Sequence, residues 1–349
     1  KLDSKYFAFA SNTKALIGRN DSEINHESLH YQFTLHSVVP APNTILQNVH
    51  KLEPGHSVKV MPNGKILKNK YYTLDDIKIN HNIKENEIIE ESERLLMSAI
   101  KKRFYTADVD VGVLLSGGLD SSLIVAMAAK SKLSKINTFS IGFPTINDEV
   151  GNEFYYSDMV SKQFNTNHYK YNISQDHLIE SLDNVIQEMP EPMFSQDSSA
   201  FYLLAKEVSK NQKVVLSGQG ADELFGGYFW YEKMNDTKGS DPERFIQHYF
   251  DRDQKDYSKT IKEKYVSNNY SQELIESLFQ KQREDIGYID KVLRIDLSTL
   301  IIDDPVKRID SMTMAHGLET RVPFLDINLV EFLSSIPSVE KLKNNGKYY

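Results

Sequence analysis

The sequence has 349 residues, 40% of them hydrophobic and 26% charged, with a formal net charge of −8. That length exceeds one ordinary core and predicts two structural units, while the composition excludes a disordered or fibrous chain. The 41 Lys and Arg and 49 Asp and Glu are mixed along the chain, which argues against nucleic acid as a partner, and the absence of cysteine excludes disulfides, thiolate-held metal sites and a cysteine nucleophile in this sequence.

No apolar run approaches the roughly 20 residues that span a bilayer, and the opening residues lack the charged-then-apolar order of a signal peptide. A cytoplasmic protein with no membrane partner is the expectation. Residues 1–73 hold short alternating apolar runs, at 31–39 and 56–60, separated by turns at Pro40, Pro42 and Pro54-Gly55, and are expected to be β-rich. Residues 74–87 turn polar and charged, as a linker does. Ile88, Ile89, Leu95, Leu96, Ala99 and Ile100 then recur at helical spacing and predict an amphipathic helix opening a second domain over 88–349. Residues 109–115 form a near-continuous aliphatic run, as in a strand buried on both faces, with a helical pattern after it. Strand signals return at 138–143 and at Val214-Val215-Leu216, with helical patterns at 153–164 and 199–209. After Tyr228 the pattern reads as helices, with a polar stretch at 235–241. The alternation predicts an α/β fold with a doubly wound parallel sheet and ligands at the carboxyl ends of its strands.

The sharpest feature is Ser116-Gly117-Gly118-Leu119-Asp120-Ser121-Ser122, between a buried strand and a helix. Glycines admit close approach of an anion, the helix start offers free N–H groups, and the three serines add donors. Asp120 suits Mg²⁺ held against phosphate oxygens rather than bare phosphate. The bland alternative is a helix cap with a tight turn. A second strand ends at Ser217-Gly218-Gln219-Gly220-Ala221-Asp222-Glu223, placing a further acid, Asp222, where it can meet Asp120 across the strand ends.

The first loop resembles the pyrophosphate loop of ATP pyrophosphatases, and residues 216–228 resemble the signature of the asparagine synthetase family. Residues 305–312 and 317–326, and Gly346-Lys347-Tyr348, extend the likeness along most of the chain. The resemblance implies the sheet of the adenine nucleotide alpha hydrolase type, ATP as substrate and Mg²⁺ on Asp120 and Asp222. It also implies pyrophosphate on Ser116, Gly117, Gly118, Ser121 and Ser122, and adenosine against Leu115, Ile141, Ser217 and Gly218. Lys347 would offset charge as the adenylate is attacked. The implied partners are a small carboxylate and ammonia, in a chain that the family likeness allows to be a homodimer. Residues 9–11 and 52–56 resemble the tail of a glutamine amidotransferase domain, whose nucleophile is an N-terminal cysteine; this sequence has none, so its ammonia is expected from solution.

One departure stands among the catalytic positions. Asparagine synthetases proper carry a glutamate where this chain has Gln219, and an amide cannot act as a base. Residues 191–198, Tyr202, Gln219, 228–231 and 304–308 look closer to N-acetylglutaminylglutamine amidotransferases, which amidate a dipeptide. A different adenylating enzyme such as a tRNA thiolase is disfavoured by charge and missing cysteines, and a non-catalytic nucleotide binder by the presence of both acids and Lys347. His26-Glu27-Ser28-Leu29-His30 fits a helical zinc motif but lacks an evident third ligand, so a surface helix or turn is preferred. His168 is read as a satisfied structural histidine, and Lys101-Lys102-Arg103 as a helix end.

Overall fold

The computed structural model describes residues 7–17, 23–131, 135–144, 151–193, 195–343 and 346–347. Two sequence positions singled out above, Phe194 and Tyr348, lie outside them. The amino-terminal part holds helix α1 (His26–Thr34) and one antiparallel hairpin of β1 (His56–Val60) and β2 (Ile66–Lys70). The β-rich expectation for this part is therefore corrected at residues 31–39, which begin inside α1. Asn25 caps that helix by accepting the Ser28 N–H at 3.1 Å, and its buried Tyr31 joins Leu35, Val38 and Val39 in a cluster with carboxyl-terminal helices. The apolar alternation of this stretch thus serves packing between sequence-distant segments, which a strand-based reading mistook for period two.

Helix α2 (Glu85–Tyr105) follows, burying Ile88, Leu95, Leu96, Ala99 and Ile100 on one face. The sheet is then built as β3 (Val111–Leu114), α3 (Leu119–Lys130), β4 (Asn137–Gly142), α4 (Phe154–Phe164), β5 (Asn167–Asn172), α5 (Gln175–Glu188), α6 (Gln196–Val208) and β6 (Val214–Leu216). Beyond β6 lie α7 (Ala221–Phe225), α8 (Phe229–Asp236), α9 (Asp241–Tyr249), α10 (Gln254–Thr260), α11 (Tyr270–Gln280), α12 (Tyr288–Ile295) and α13 (Lys307–Met314). Strand β7 (Glu319–Arg321), α14 (Ile327–Ser334) and α15 (Ser338–Lys341) complete the order. The main sheet's five strands, β3 to β7, all run parallel, in the order β5-β4-β3-β6-β7.

β3 shows why this is a two-sided sheet. Val111 and Val113 face a cluster with α2, α3 and α14, while Leu114 faces a second with Leu204, Val208 and Ile309. Val109, expected inside the strand, is 48% exposed and precedes it. The all-helical reading after Tyr228 is corrected by β7, which pairs Glu319, Thr320 and Arg321 with β6; these three polar residues carry no apolar signal, and pairing with an existing strand makes the strand. The chain leaves β3 toward β4 on one side and returns to β6 on the other, so the sheet's switch point opens between the carboxyl ends of β3 and β6. No described helix is long and apolar enough to cross a membrane.

The amino-terminal part is tied to the rest by an alternating charge cluster. The Lys51 ammonium lies 2.8 Å from both Glu191 and Asp303, and Lys307 contacts the same two acids. Both carboxylates are buried, so the four charges answer one another rather than solvent.

Candidate active site

β3 hands directly into the first loop: the Leu115 N–H still bonds the Phe139 carbonyl at 2.8 Å, and α3 starts four residues later. Gly117 has φ of +96°, a region open to glycine, and a Cβ there would stand 2.8 Å from Tyr156 Cβ. No side chain caps the start of α3, so its first N–H groups remain for an anion. Ser116 Oγ lies 3.0 Å from Ser121 Oγ and accepts the Gly118 N–H at 3.2 Å. Ser122 Oγ instead donates to the Gly118 carbonyl at 2.7 Å.

β6 ends alongside at Ser217, whose N–H reaches the Arg321 carbonyl at 3.0 Å. Gly218 lets the two loops touch: a Cβ there would stand 3.0 Å from Asp120 Cβ and 3.2 Å from Ser121 N. α7 then places Asp222 in its first turn, facing Asp120. Between the two acids lies Lys347, its ammonium 2.6 Å from Asp120 Oδ2 and 2.7 Å from Asp222 Oδ1. The backbone N–H of Lys347 is anchored on the Phe225 carbonyl at 3.0 Å, at the far end of α7. Burial works against the charge on Lys347, but the hydrogen bonds it donates to Asp120 and Asp222 outweigh it and raise the ammonium above its usual range.

A cavity of about 550 Å³ opens at this switch point. It gathers Leu115, Ser116, Gly118, Asp120, Ser121, Ile141, Ser217, Gly218, Gln219 and Asp222 from the positions named above. Gly117 and Ser122 are not on its wall, since one packs against α4 and the other is turned into its own helix. Lys347 lies at its rim through Asp120, on the wall of a neighbouring apolar groove. Sequence reasoning missed Phe143, Asn152, Glu153, Ala200, Phe201 and Leu204, which the β4–α4 connection and α6 bring to the same cavity. Only their position just past a strand end, or on the helix preceding the next strand, signalled them.

The donor set fits a hard divalent cation. Two carboxylates already converge on one positive charge, the Lys347 ammonium, and magnesium is commonly held by one or two carboxylates with substrate phosphates supplying the rest. Among the described residues no group of three or more His, Cys, Asp or Glu could hold a metal by itself. The helical zinc motif lies in α1, and its reading as a surface helix or turn is corrected at His30, which is buried with its ring nitrogens on Ser271 at 2.8 Å and Gln254 at 2.6 Å, while His26 packs edge-on against Tyr265. His168 is likewise held internally, by Thr138 at 2.9 Å and Ser157 at 3.2 Å, and burial lowers its pKa.

Asparagine synthetases [glutamine-hydrolyzing] 1 and 3 of Bacillus subtilis (strain 168) are 28% and 27% identical to this chain, over 98% and 97% of it. The chain spans 58% and 57% of those two proteins. Among solved structures, an NH3-dependent NAD synthetase from Campylobacter jejuni covers 57% of this chain and 99% of its own at 15% identity, with a TM-score of 0.29. Residues 1–72 match the glutamine amidotransferase domain. Residues 91–349 match asparagine synthase and contain both glycine loops, both acids and Lys347, and so the chain belongs to the asparagine synthase family.

Proposed function

We propose that the chain is the synthetase part of an ATP-dependent, amide-forming ligase that activates a carboxylate by adenylation. The observation that carries this reading is the meeting of Asp120, Asp222 and Lys347 at the end of a cavity lined by a strand-loop-helix anion cradle. The apolar walls of Leu115, Ile141 and Phe143 suit the adenine, which leaves the phosphates over the start of α3. Asp120 and Asp222 would hold Mg²⁺, which supplies positive charge to the phosphates when bound.

In the first step an oxygen of the substrate carboxylate bonds to the α-phosphorus, and the bridging bond to the β-phosphate breaks with its electrons leaving on pyrophosphate. Ser116, Ser121 and the free N–H groups of α3 receive that leaving group. In the second, the nitrogen of ammonia bonds to the acyl carbon, the bond to AMP breaks with its electrons leaving on AMP, and nitrogen sheds a proton to water. Lys347 offsets the negative charge that develops on the acyl oxygen and the departing AMP. The enclosing cavity supports both steps by holding the reactants together. Within this reading residues 1–73 are the amidotransferase part, 74–87 the linker and 88–349 the synthetase, whose first helix α2 already starts at Glu85.

A second reading concerns the acceptor. Gln219 lines the cavity where a glutamate would supply a base for nitrogen, and its likeness, with that of residues 191–198, Tyr202, 228–231 and 304–308, to N-acetylglutaminylglutamine amidotransferases supports a dipeptide carboxylate as the alternative to aspartate. The test is exchange of labelled pyrophosphate into ATP with Mg²⁺ and each carboxylate in turn, in the wild type and in Asp120→Asn. Carboxylate-dependent exchange that disappears in the variant supports the function, and the active carboxylate names the acceptor. Exchange undiminished in Asp120→Asn overturns the assigned site.

A further inference from the structure

The two faces of the sheet meet the cavity differently. α3 packs Ile124 and Val125 into the cluster shared with α2 and α14, and α6 packs Leu204, Ala205 and Val208 into the cluster on the other face. Both helices open at the carboxyl edge of the sheet, so the cavity has the start of α3 on one side and that of α6 on the other. In the reading above, the uncapped start of α3 takes the phosphates, and Leu115, Ile141 and Phe143 take the adenine. The wall that remains for the acceptor is Asp197, Ala200, Phe201 and Leu204 of α6, together with Gln219.

This wall is built against a second anion. Ser195 caps α6 by accepting the Asp197 N–H at 3.2 Å, which engages a donor of the kind that α3 leaves free. Asp197 adds a negative charge in the first turn, on a side chain 64% exposed. Among the described residues its carboxylate has a single ionic neighbour, Arg308, at 3.6 Å. That guanidinium is engaged elsewhere, with Asp304 at 2.8 Å and Ser195 Oγ at 2.6 Å, so it steadies the start of α6 and leaves the Asp197 oxygens open. No Lys, Arg or His is among the described residues that line the cavity, and Lys347 at its rim already lies between two acids. A carboxylate beyond the activated one would meet Asp197 with no cation to balance it, whereas N–H groups would find an acceptor. Gln219 adds an amide, which serves N–H and C=O groups alike.

We propose that Asp197 selects the acceptor by receiving N–H donors of the substrate and repelling a second carboxylate, so that the acceptor is a monocarboxylate rich in amide or amine groups. Its role as the amidated substrate rests on the function proposed above; the binding preference does not. The experiment is calorimetric titration of the wild type and of Asp197→Asn with three compounds: N-acetylglutaminylglutamine, N-acetylglutamylglutamate, in which both side-chain amides are carboxylates, and aspartate. α,β-Methylene-ATP and Mg²⁺ are present throughout, so no turnover is needed. The expected result is that the wild type binds the amide roughly tenfold or more tighter than either acid. In Asp197→Asn that gap closes by roughly tenfold, the amide losing affinity and the acids gaining it, and a gain is something that general damage to the cavity does not produce.

No binding of the amide, either acid bound as tightly as the amide by the wild type, or an unchanged gap in the folded variant overturns the proposal. Pyrophosphate exchange with the same compounds tests the function separately. A binding preference without exchange would refute the function and leave Asp197 as assigned. Exchange with no preference in binding would refute the assignment of Asp197 alone.

Discussion

Substituting Lys347 by Gln separates the two duties its ammonium performs. In the ligand-free arrangement it bridges Asp120 and Asp222 at 2.6 and 2.7 Å, with the three side chains 23%, 23% and 30% exposed. At an effective dielectric of about 20 each contact is worth about 6 kcal/mol before desolvation. Partial exposure and the loss of hydration leave a net of about 1–3 kcal/mol for the arrangement. The variant removes a cation that competes with the metal for the same oxygens. Divalent binding is therefore expected to tighten by roughly 5–150-fold, measured with Mn²⁺ by electron paramagnetic resonance in the absence of nucleotide. Amide formation is expected to fall by about 10²–10³, because a preorganised positive charge is missing where negative charge develops. The opposite signs are the diagnostic: general damage to the site would weaken both. Mn²⁺ binding no tighter in the folded variant than in the wild type would refute the reasoning.

Gly218→Ala places a Cβ 3.0 Å from Asp120 Cβ and 3.2 Å from Ser121 N, so the loops must part by a few tenths of an ångström; pyrophosphate exchange should fall about tenfold or more while the unfolding temperature moves little. Glu191→Gln leaves Lys51 and Lys307 with Asp303 alone and should destabilise the fold by about 3 kcal/mol, read by denaturant unfolding; an unchanged midpoint would mean the charge cluster is not a tie between the two parts. His36 is subject to burial, which lowers its pKa, but the hydrogen bond and charge of Asp251 prevail and raise it above 6.5. The pair's contribution to stability is then complete below 6.5 and lost as pH rises through the higher folded value, so Asp251→Asn should be most destabilising at low pH. An NMR titration in which the variant's His36 still titrates above 6.5 would count against it.

The parts of this protein that were legible in its sequence are those where local pattern and function coincide. A strand buried on both faces, followed by glycines, serines and an acid at a helix start, can be read from 109–122, although the strand itself is only Val111–Leu114, because burial and anion binding each demand those residue types locally. The pairing of Asp120 with Asp222 follows from both standing at ends of parallel strands, although 102 residues apart by number. Other features depended on the assembled fold. β7 is three polar residues recruited by an existing edge, and α1 carries an apolar pattern whose partners lie in α9, α11 and α12. The place of Asp197 on the cavity wall is invisible in sequence, where that residue is only an acid at a helix start; it comes from α6 opening at the carboxyl edge of the sheet, across from α3. The Lys51–Glu191–Lys307–Asp303 cluster has the same character, joining four residues whose types are ordinary and whose proximity is tertiary.

The central claim is that the cavity between β3 and β6 joins a carboxylate to the α-phosphorus of ATP. A substrate labelled with ¹⁸O in its carboxylate, turned over with ATP, Mg²⁺ and ammonium, tests that bond directly by mass spectrometry of the phosphate products. One labelled oxygen in AMP and unlabelled pyrophosphate are the expected products. Label in inorganic phosphate, with ADP as co-product, would show attack at the γ-phosphorus and contradict it.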